Sequence, residues 1–329
     1  MTFAWPDGIL SEEYYIFKED PMKKILITGG TIFVSKFTAQ YFASKNYTVY
    51  VLNRNHRPQC SGVHLIECDR HNLGERLRGF HFDAILDITA YTGQDVNSLL
   101  DATDGFDSYI LISSSAVYPE STLQPFQENA ICGPNVFWGK YGTDKITAEQ
   151  ALLARVPNAY ILRPPYLYGP MNNVYREAFI FDCAIANRKF FLPGHGDLKL
   201  QFFHVNDLCR FMEILLIQKP SQKIFNVGNP HSISIKEWAT LCYQITGHNP
   251  EFVPVELPIE PRKYFCFYNY EYFLDVQAQH NLMPETIPLE EGLRQSFAWY
   301  QQFGEEVNRR PYQEFIDNHL KPFIKQSLY

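Results

Sequence analysis

The stretch Lys24–Ser35 (KILITGGTIFVS) constrains the fold more than any other part of the chain. Lys24 to Ile27 reads as a short buried strand, and Thr28, Gly29, Gly30 and Thr31 as a tight turn. From Phe33 the apolar spacing becomes helical, with Phe33, Val34, Phe37, Tyr41 and Phe42 on one face. A strand, a glycine turn and a helix in this order cradle phosphate. The turn lets backbone approach a pyrophosphate, and the free N–H groups at the helix start favour negative charge. Thr28, Gly29, Gly30, Thr31, Ile32 and Phe33 are therefore the expected contacts of a dinucleotide.

The rhythm continues downstream. Strands are expected at Tyr47–Leu52, Val63–Cys68, Asp83–Ile88, Ser108–Ile112 and Ala159–Leu162, with helices around Asp95–Ala102 and Lys140–Ala154. Continuous apolar strands alternating with helices predict a Rossmann-like, doubly wound parallel sheet covered on both faces. Ligands of such sheets sit at the carboxyl ends of the strands, where this chain places Asn53, Asp69, Thr89 and Ser114. From Arg163 the texture changes. Arg163–Pro170 reads as a loop, Phe202–Asp207 as a strand edge leading into a helix, and Lys223–Val227 as one more strand. The expected organisation is an N-terminal extension, 1–22, and a dinucleotide-binding domain, 23–165, whose sheet is completed by about 201–229. A smaller C-terminal substrate lobe is built from 166–200 and 230–329, and Tyr312–Lys325 is expected to be helical.

Composition excludes several classes. Lys and Arg total 29 against 36 Asp and Glu, a net charge of -7, which argues against broad nucleic-acid binding. The seven Cys are scattered without a C-x-x-C pair, as expected for reduced thiols of a cytoplasmic protein without a metal site. No basic segment leads into an apolar run at the start, and no apolar run approaches the ~20 residues of a membrane span.

A second constellation carries chemistry: Ser113, Ser114 and Ser115 at a strand end, then Tyr141 and Lys145 four apart on a helix. An ammonium beside a phenol is expected to lower its pKa, so that the Tyr can exchange a proton with a substrate alcohol or carbonyl. A Ser hydroxyl can hold the same oxygen, and hydride transfer to a nicotinamide completes an alcohol–ketone interconversion. The Tyr-x-x-x-Lys spacing also occurs at Tyr14/Lys18 and Tyr41/Lys45. Only Tyr141 follows a serine-bearing strand end; Tyr41 lies on the apolar face of the first helix, a core position.

These features, with Leu162–Pro170 (LRPPYLYGP), Phe203–Leu208 (FHVNDL) and Phe225–Gly228 (FNVG), resemble the extended short-chain dehydrogenase/reductase family, in particular its NAD-dependent epimerase/dehydratase branch. The resemblance runs from about Lys24 to Tyr300. It implies Ser114, Tyr141 and Lys145 as catalytic residues, and Asp69 near the adenine. Thr89, Ala90, Tyr91 and Pro164 would lie beside the cofactor, and Ser115, Tyr166 and Arg262 toward a nucleotide-sugar substrate. It also implies a homodimer paired through the helices around Asp95–Ala102 and Tyr141–Ala154, and a structural role for His204 and Asp207.

The chain departs from that family in two places, the glycine turn and Tyr166. Ile32 and Ser35 stand where the turn usually has its second and third glycines, and Tyr166 where an Asn is usual near the substrate. Ser115-Ala116 stand where dehydratases of the family carry Asp-Glu, so elimination is disfavoured against epimerisation or reduction. Asn53-Arg54 replace the acid that favours NAD, with Lys36 nearby; either NAD or NADP is expected, with a lean to NADP. The glycine turn is also similar to that of the chloroplast stem-loop-binding proteins, atypical relatives. A regulatory role in nucleotide or RNA binding without turnover is the alternative function.

Overall fold

A computed structural model describes residues 23–321; the extension 1–22 and the end of the expected C-terminal helix lie outside the described residues. The chain begins with β1 (Lys24–Thr28), α1 (Phe33–Ser44), β2 (Thr48–Asn53), β3 (Val63–Glu67), β4 (His81–Asp87), α2 (Gly93–Ala102), β5 (Gly105–Ile112), α3 (Lys140–Arg155) and β6 (Tyr160–Arg163). It continues with β7 (Tyr166–Tyr168), α4 (Glu177–Ile185), β8 (Phe190–Pro193), β9 (Lys199–Leu200), β10 (Phe202–His204), α5 (Val205–Gln218) and β11 (Ile224–Asn226). The last elements are β12 (Ile233–Ser234), α6 (Ile235–Ile245), β13 (Phe252–Val255), α7 (Gln277–Leu282), α8 (Leu289–Phe303) and α9 (Tyr312–Phe315).

Seven parallel strands form one sheet in the order β11-β6-β5-β4-β1-β2-β3. The order reverses between β1 and β4, which opens a crevice at their carboxyl ends. Alternation along β1 explains why both sheet faces are covered. Ile25 and Ile27 pack toward one side with Phe42, Leu208 and Met212, and Leu26 toward the other with Leu99, Leu152 and Phe82. Each such buried side chain contributes on the order of 1.5–3 kcal/mol. The expected Rossmann-like architecture is thus present.

The second core is aromatic. Phe202 stacks on Trp238 with ring centroids 3.7 Å apart, and Tyr166, Tyr168 and Phe267 surround them. Short strand pairs (β7 with β10, β8 with β13, β9 with β12) and α4, α6 and α8 frame this lobe. Three expectations need correction. Residues 166–168 are a strand, because their partner, β10, lies beyond α4 and the short strands that follow it, and local pattern cannot show it. After Tyr312–Phe315 the last helix widens into a π turn at Ile316–Leu320. Tyr41 is only half-buried, and its hydroxyl reaches across to donate to Glu213 at 2.6 Å.

Candidate active site

The glycine turn takes its shape from crowding. Gly29 and Gly30 have φ of 94° and 100°; a Cβ on Gly29 would stand 2.8 Å from Ser35 Oγ, and one on Gly30 2.6 Å from Val51. Only glycine satisfies both constraints. Ser35 fits because its hydroxyl folds back to donate to Ile32 O at 2.9 Å. Ile32 is 41% exposed and lines neither cavity described below. Phe33, held at φ 33°, turns its ring inward instead. No side chain caps α1, so its first N–H groups face the turn free.

Two cavities meet at Tyr91. One, of about 480 Å³, runs along Gly29, Asn53, Arg54, Asp69, Arg70 and Thr89. The other, of about 360 Å³, holds Ser114, Ser115, Tyr141, Lys145, Pro164 and Tyr166. Of the expected site residues, Thr28, Gly30, Thr31, Ile32, Ala90 and Arg262 line neither; Arg262 lines a separate cavity with Lys263 and Arg310. Thr28 lies buried beneath, donating to Asp87 at 2.7 Å and receiving the N–H of Ile88 and Thr89. Asn53 is a scaffold residue, donating to Gly29 O at 2.7 Å. Lys36 turns away to pair with Glu306 at 3.5 Å, which leaves Arg54 as the exposed cation of the expected pair on the cavity along Gly29.

Ser114 ends the β5 run, and its Oγ accepts from Ala116 N at 3.2 Å. Gly142 lets α3 lie directly on this turn: a Cβ there would stand 2.4 Å from Ala116 O. That approach sets Tyr141 opposite Ser114, whose hydroxyl lies near enough to favour the phenolate. Tyr141 is 39% exposed, and Tyr91 packs edge-on against it at 6.1 Å. Lys145 is 3% exposed and donates to Ala90 O at 2.7 Å and Ile112 O at 2.8 Å, leaving one N–H for a ligand.

The electrostatics correct one expectation. Burial pushes the Tyr141 phenol up, with the Ser114 bond opposing, and the Lys145 ammonium does not pull it down. Burial brings Lys145 itself down to about 8. The sign of its effect on stability follows. Between pH 8 and the ordinary lysine range the unfolded chain binds a proton that the folded chain has lost, so this residue makes stability rise with pH across that window. Urea unfolding at pH 7 and pH 9.5 is expected to show wild type gaining stability relative to Lys145→Met; equal pH slopes would exclude it.

Sequence reasoning missed Arg70, Arg176, Trp138 and Tyr272, which line the two cavities. Arg70 carried a signal, since it follows Asp69 at a strand end. Its guanidinium donates to Asp87 at 3.0 and 3.2 Å and to Thr89 Oγ1 at 2.9 Å. Burial raises the Asp87 carboxyl, but Arg70, Tyr109 and Thr28 outweigh it and hold the group below its ordinary range. Arg176 reaches over the Tyr166 ring at 4.7 Å and has no local sequence signal. His204 caps α5 through Nδ1, and Asp207 accepts from Ile287 N at 2.7 Å.

Residues 25–228 match the NAD dependent epimerase/dehydratase family, and the chain belongs to it. The chloroplast stem-loop binding protein of 41 kDa b of Arabidopsis thaliana is 30% identical over 305 residues, 84% of this chain and 78% of that protein. Among solved structures, the Bordetella bronchiseptica enzyme WbmG in complex with NAD superposes with a TM-score of 0.73 at 17% identity, covering 89% of this chain and 98% of that one. UDP-glucose 4-epimerase of Thermotoga maritima with UDP-glucose gives 0.70 at 20% identity, covering 85% and 99%. At these identities the structures establish the shared fold.

Proposed function

We propose that the chain is an NAD(P)-dependent epimerase or reductase acting on a nucleotide sugar, with Tyr141 as the proton donor and acceptor. The observation that carries this reading is that Tyr141, Ser114 and Lys145 line one cavity, which shares Tyr91 as a wall with the glycine-turn cavity. The nicotinamide, when bound, supplies the acceptor and donor of hydride. The uncapped start of α1 would receive the pyrophosphate of the dinucleotide, Asp69 would hold its adenine end, and the remaining N–H of Lys145 would be free for a ribose hydroxyl. Ser114 holds the substrate oxygen and Tyr141 moves its proton, with Tyr166 walling the sugar. Placing epimerisation or reduction ahead of dehydration rests on Ser115-Ala116 alone.

Arg54 on the cavity rim suits a 2′-phosphate. Fluorescence titration is expected to show NADPH binding more tightly than NADH. Arg54→Ala should narrow that ratio about tenfold, the value of one charge-assisted contact. Binding of neither dinucleotide would end the enzymatic reading. With a dinucleotide bound, a panel of UDP- and GDP-sugars identifies the substrate. Two copies are inferred to pair through α2 and α3; light scattering at the mass of one chain would remove that inference. All seven thiols are free, which fits a cytoplasmic protein; thiol titration of the freshly isolated, denatured chain giving fewer than seven would count against it.

A second reading, binding of a stem-loop nucleic acid, is favoured by the 30% relative's name. Retention on such an RNA that falls with salt, without dinucleotide binding, would replace the first reading.

A further inference from the structure

Between β4 and α2 runs the segment 88–92, which has no helix or strand of its own. Thr89 and Tyr91 line the cavity along Gly29, and Ile88 and Tyr91 line the Tyr141 cavity, so the segment borders both. Connections of this kind ordinarily open easily. This one is tied along its length. Ile88 N and Thr89 N donate to Thr28 Oγ1 at 2.9 and 3.0 Å, and Tyr91 N and Thr92 N donate to Asp95 Oδ2 at 2.9 and 2.8 Å. Ala90 O accepts from Lys145 Nζ at 2.7 Å, and the same ammonium lies 5.0 Å from the centre of the Tyr91 ring.

Arg70 joins these ties to one another. It donates to both oxygens of Asp87, which also accepts from Thr28 Oγ1 at 2.7 Å and from the Tyr109 hydroxyl at 2.6 Å. It donates further to Thr89 Oγ1 and to Asp95 O, each at 2.9 Å, and its Nε faces Asp95 Oδ1 at 3.7 Å. The Arg70 side chain is 11% exposed and that of Asp87 fully buried. The guanidinium thus reaches the start of the segment through Asp87 and Thr28, its middle at Thr89, and its end through Asp95. A planar fork of donors can do this; an ammonium on a flexible stem cannot span the same acceptors.

We propose that Arg70 is a positioning residue for the Tyr141 site: by fixing 88–92 it fixes Ala90 O and the Tyr91 ring, and through them the ammonium of Lys145. Burial governs the charge of that ammonium; Asp87, Glu149 and Asp95 favour it and Arg70 opposes it. The kinetic consequence rests on the function proposed for Tyr141 and Lys145, whereas the rigidity of the segment and the state of the Lys145 amine can be read without turnover.

Hydrogen exchange of the full chain by mass spectrometry, with trace labelling of its lysines by acetic anhydride across pH, tests the proposal. Arg70→Met is expected to speed exchange over 88–92 about tenfold, the loss of one or two hydrogen bonds, while β1 and β5 keep their rates. The midpoint of Lys145 labelling should move up from about 8, because water then reaches an amine that burial had discharged. Arg70→Met also removes a nearby charge and strands Asp87, so Thr89→Val is the neutral counterpart. It keeps the Arg70–Asp87 pair, cuts one tie, and should give both changes in smaller measure; it decides alone if Arg70→Met does not fold. Unchanged exchange at 88–92, or equal acceleration throughout the sheet, overturns the proposal. So does a wild-type Lys145 midpoint in Thr89→Val. On a nucleotide sugar that the chain turns over, Arg70→Met should lower kcat about tenfold or more and leave the sugar KM within about twofold; a change confined to KM would also overturn it. Failure of every UDP- and GDP-sugar to turn over would end the proposed function, and the exchange and labelling results would still decide whether Arg70 positions Lys145.

Discussion

Tyr141→Phe is expected to lower kcat by roughly 10²–10⁴, the ordinary contribution of a positioned acid or base. The substitution removes one oxygen from the enclosed end of the side chain and leaves the ring against Tyr91. KM and dinucleotide affinity should change little, because the lost interaction is made to the reacting oxygen and not to the rest of the ligands. Burial keeps Tyr141 protonated at neutral pH. In the oxidising direction it must release that proton, so the rate should rise with pH until the phenol titrates; in the reducing direction the phenol is already the donor and the rate should fall over the same range. Ser114→Ala should lower the rate less, and should shift the profile upward because the bond that favours the phenolate is gone. A Tyr141→Phe variant with wild-type turnover of an established substrate would dispose of the assigned role.

The second large effect lies under the site. Arg163 donates through Nη2 to Glu149 at 2.6 Å and through Nε at 3.0 Å, and both residues are buried. Ser113 Oγ donates to the same carboxylate. Arg163 Nη1 donates to the Tyr118 hydroxyl at 2.8 Å, which in turn donates to Asn226 at 2.8 Å. One network therefore joins α3, the end of β5, β6 and β11. Removing the guanidinium strands a buried carboxylate, and Arg163→Met is expected to destabilise the chain by about 3–5 kcal/mol in urea unfolding. Adding Glu149→Leu should recover a good part of that loss, because the stranded charge is gone. A single variant within about 1 kcal/mol of wild type would show that water reaches Glu149. Because Ser113 and α3 share this carboxylate, the single variant should also loosen the Ser114–Tyr141 pair and lower kcat at temperatures where it remains folded.

Much of the sheet was legible because its strands are continuous apolar runs and its turn needs glycine at two positive φ values. The pair Tyr141 and Lys145 was legible from order along the chain: a serine strand end, then a helix. What local pattern could not carry was anything decided by a distant partner. Strand β7 exists because β10 comes to lie beside it. Lys36 reads as a second cation for a phosphate until Glu306 takes it. The pull of Lys145 on Tyr141 follows from spacing alone, but two backbone carbonyls hold the ammonium elsewhere and burial governs the phenol. Arg262 reads as part of the substrate site, and the fold gives it a cavity of its own.

The position of β11 has a consequence for how the chain comes into being. Its residues Ile224–Asn226 close the outer edge of β6, and the whole stretch from β7 to α5 emerges between the two. During synthesis the β6 edge therefore waits, with unpaired N–H and C=O groups, until the first half of the aromatic lobe has been made. Once in place, β11 is tied onward: Gly228 N donates to Gln279 at 2.7 Å, and Gln201 bridges Asn229 and Leu274. A fragment ending near residue 165 would carry the glycine turn and Tyr141 yet expose a raw strand edge prone to self-association. The nucleotide half and the lobe are thus interdependent in assembly as well as joined in the finished molecule.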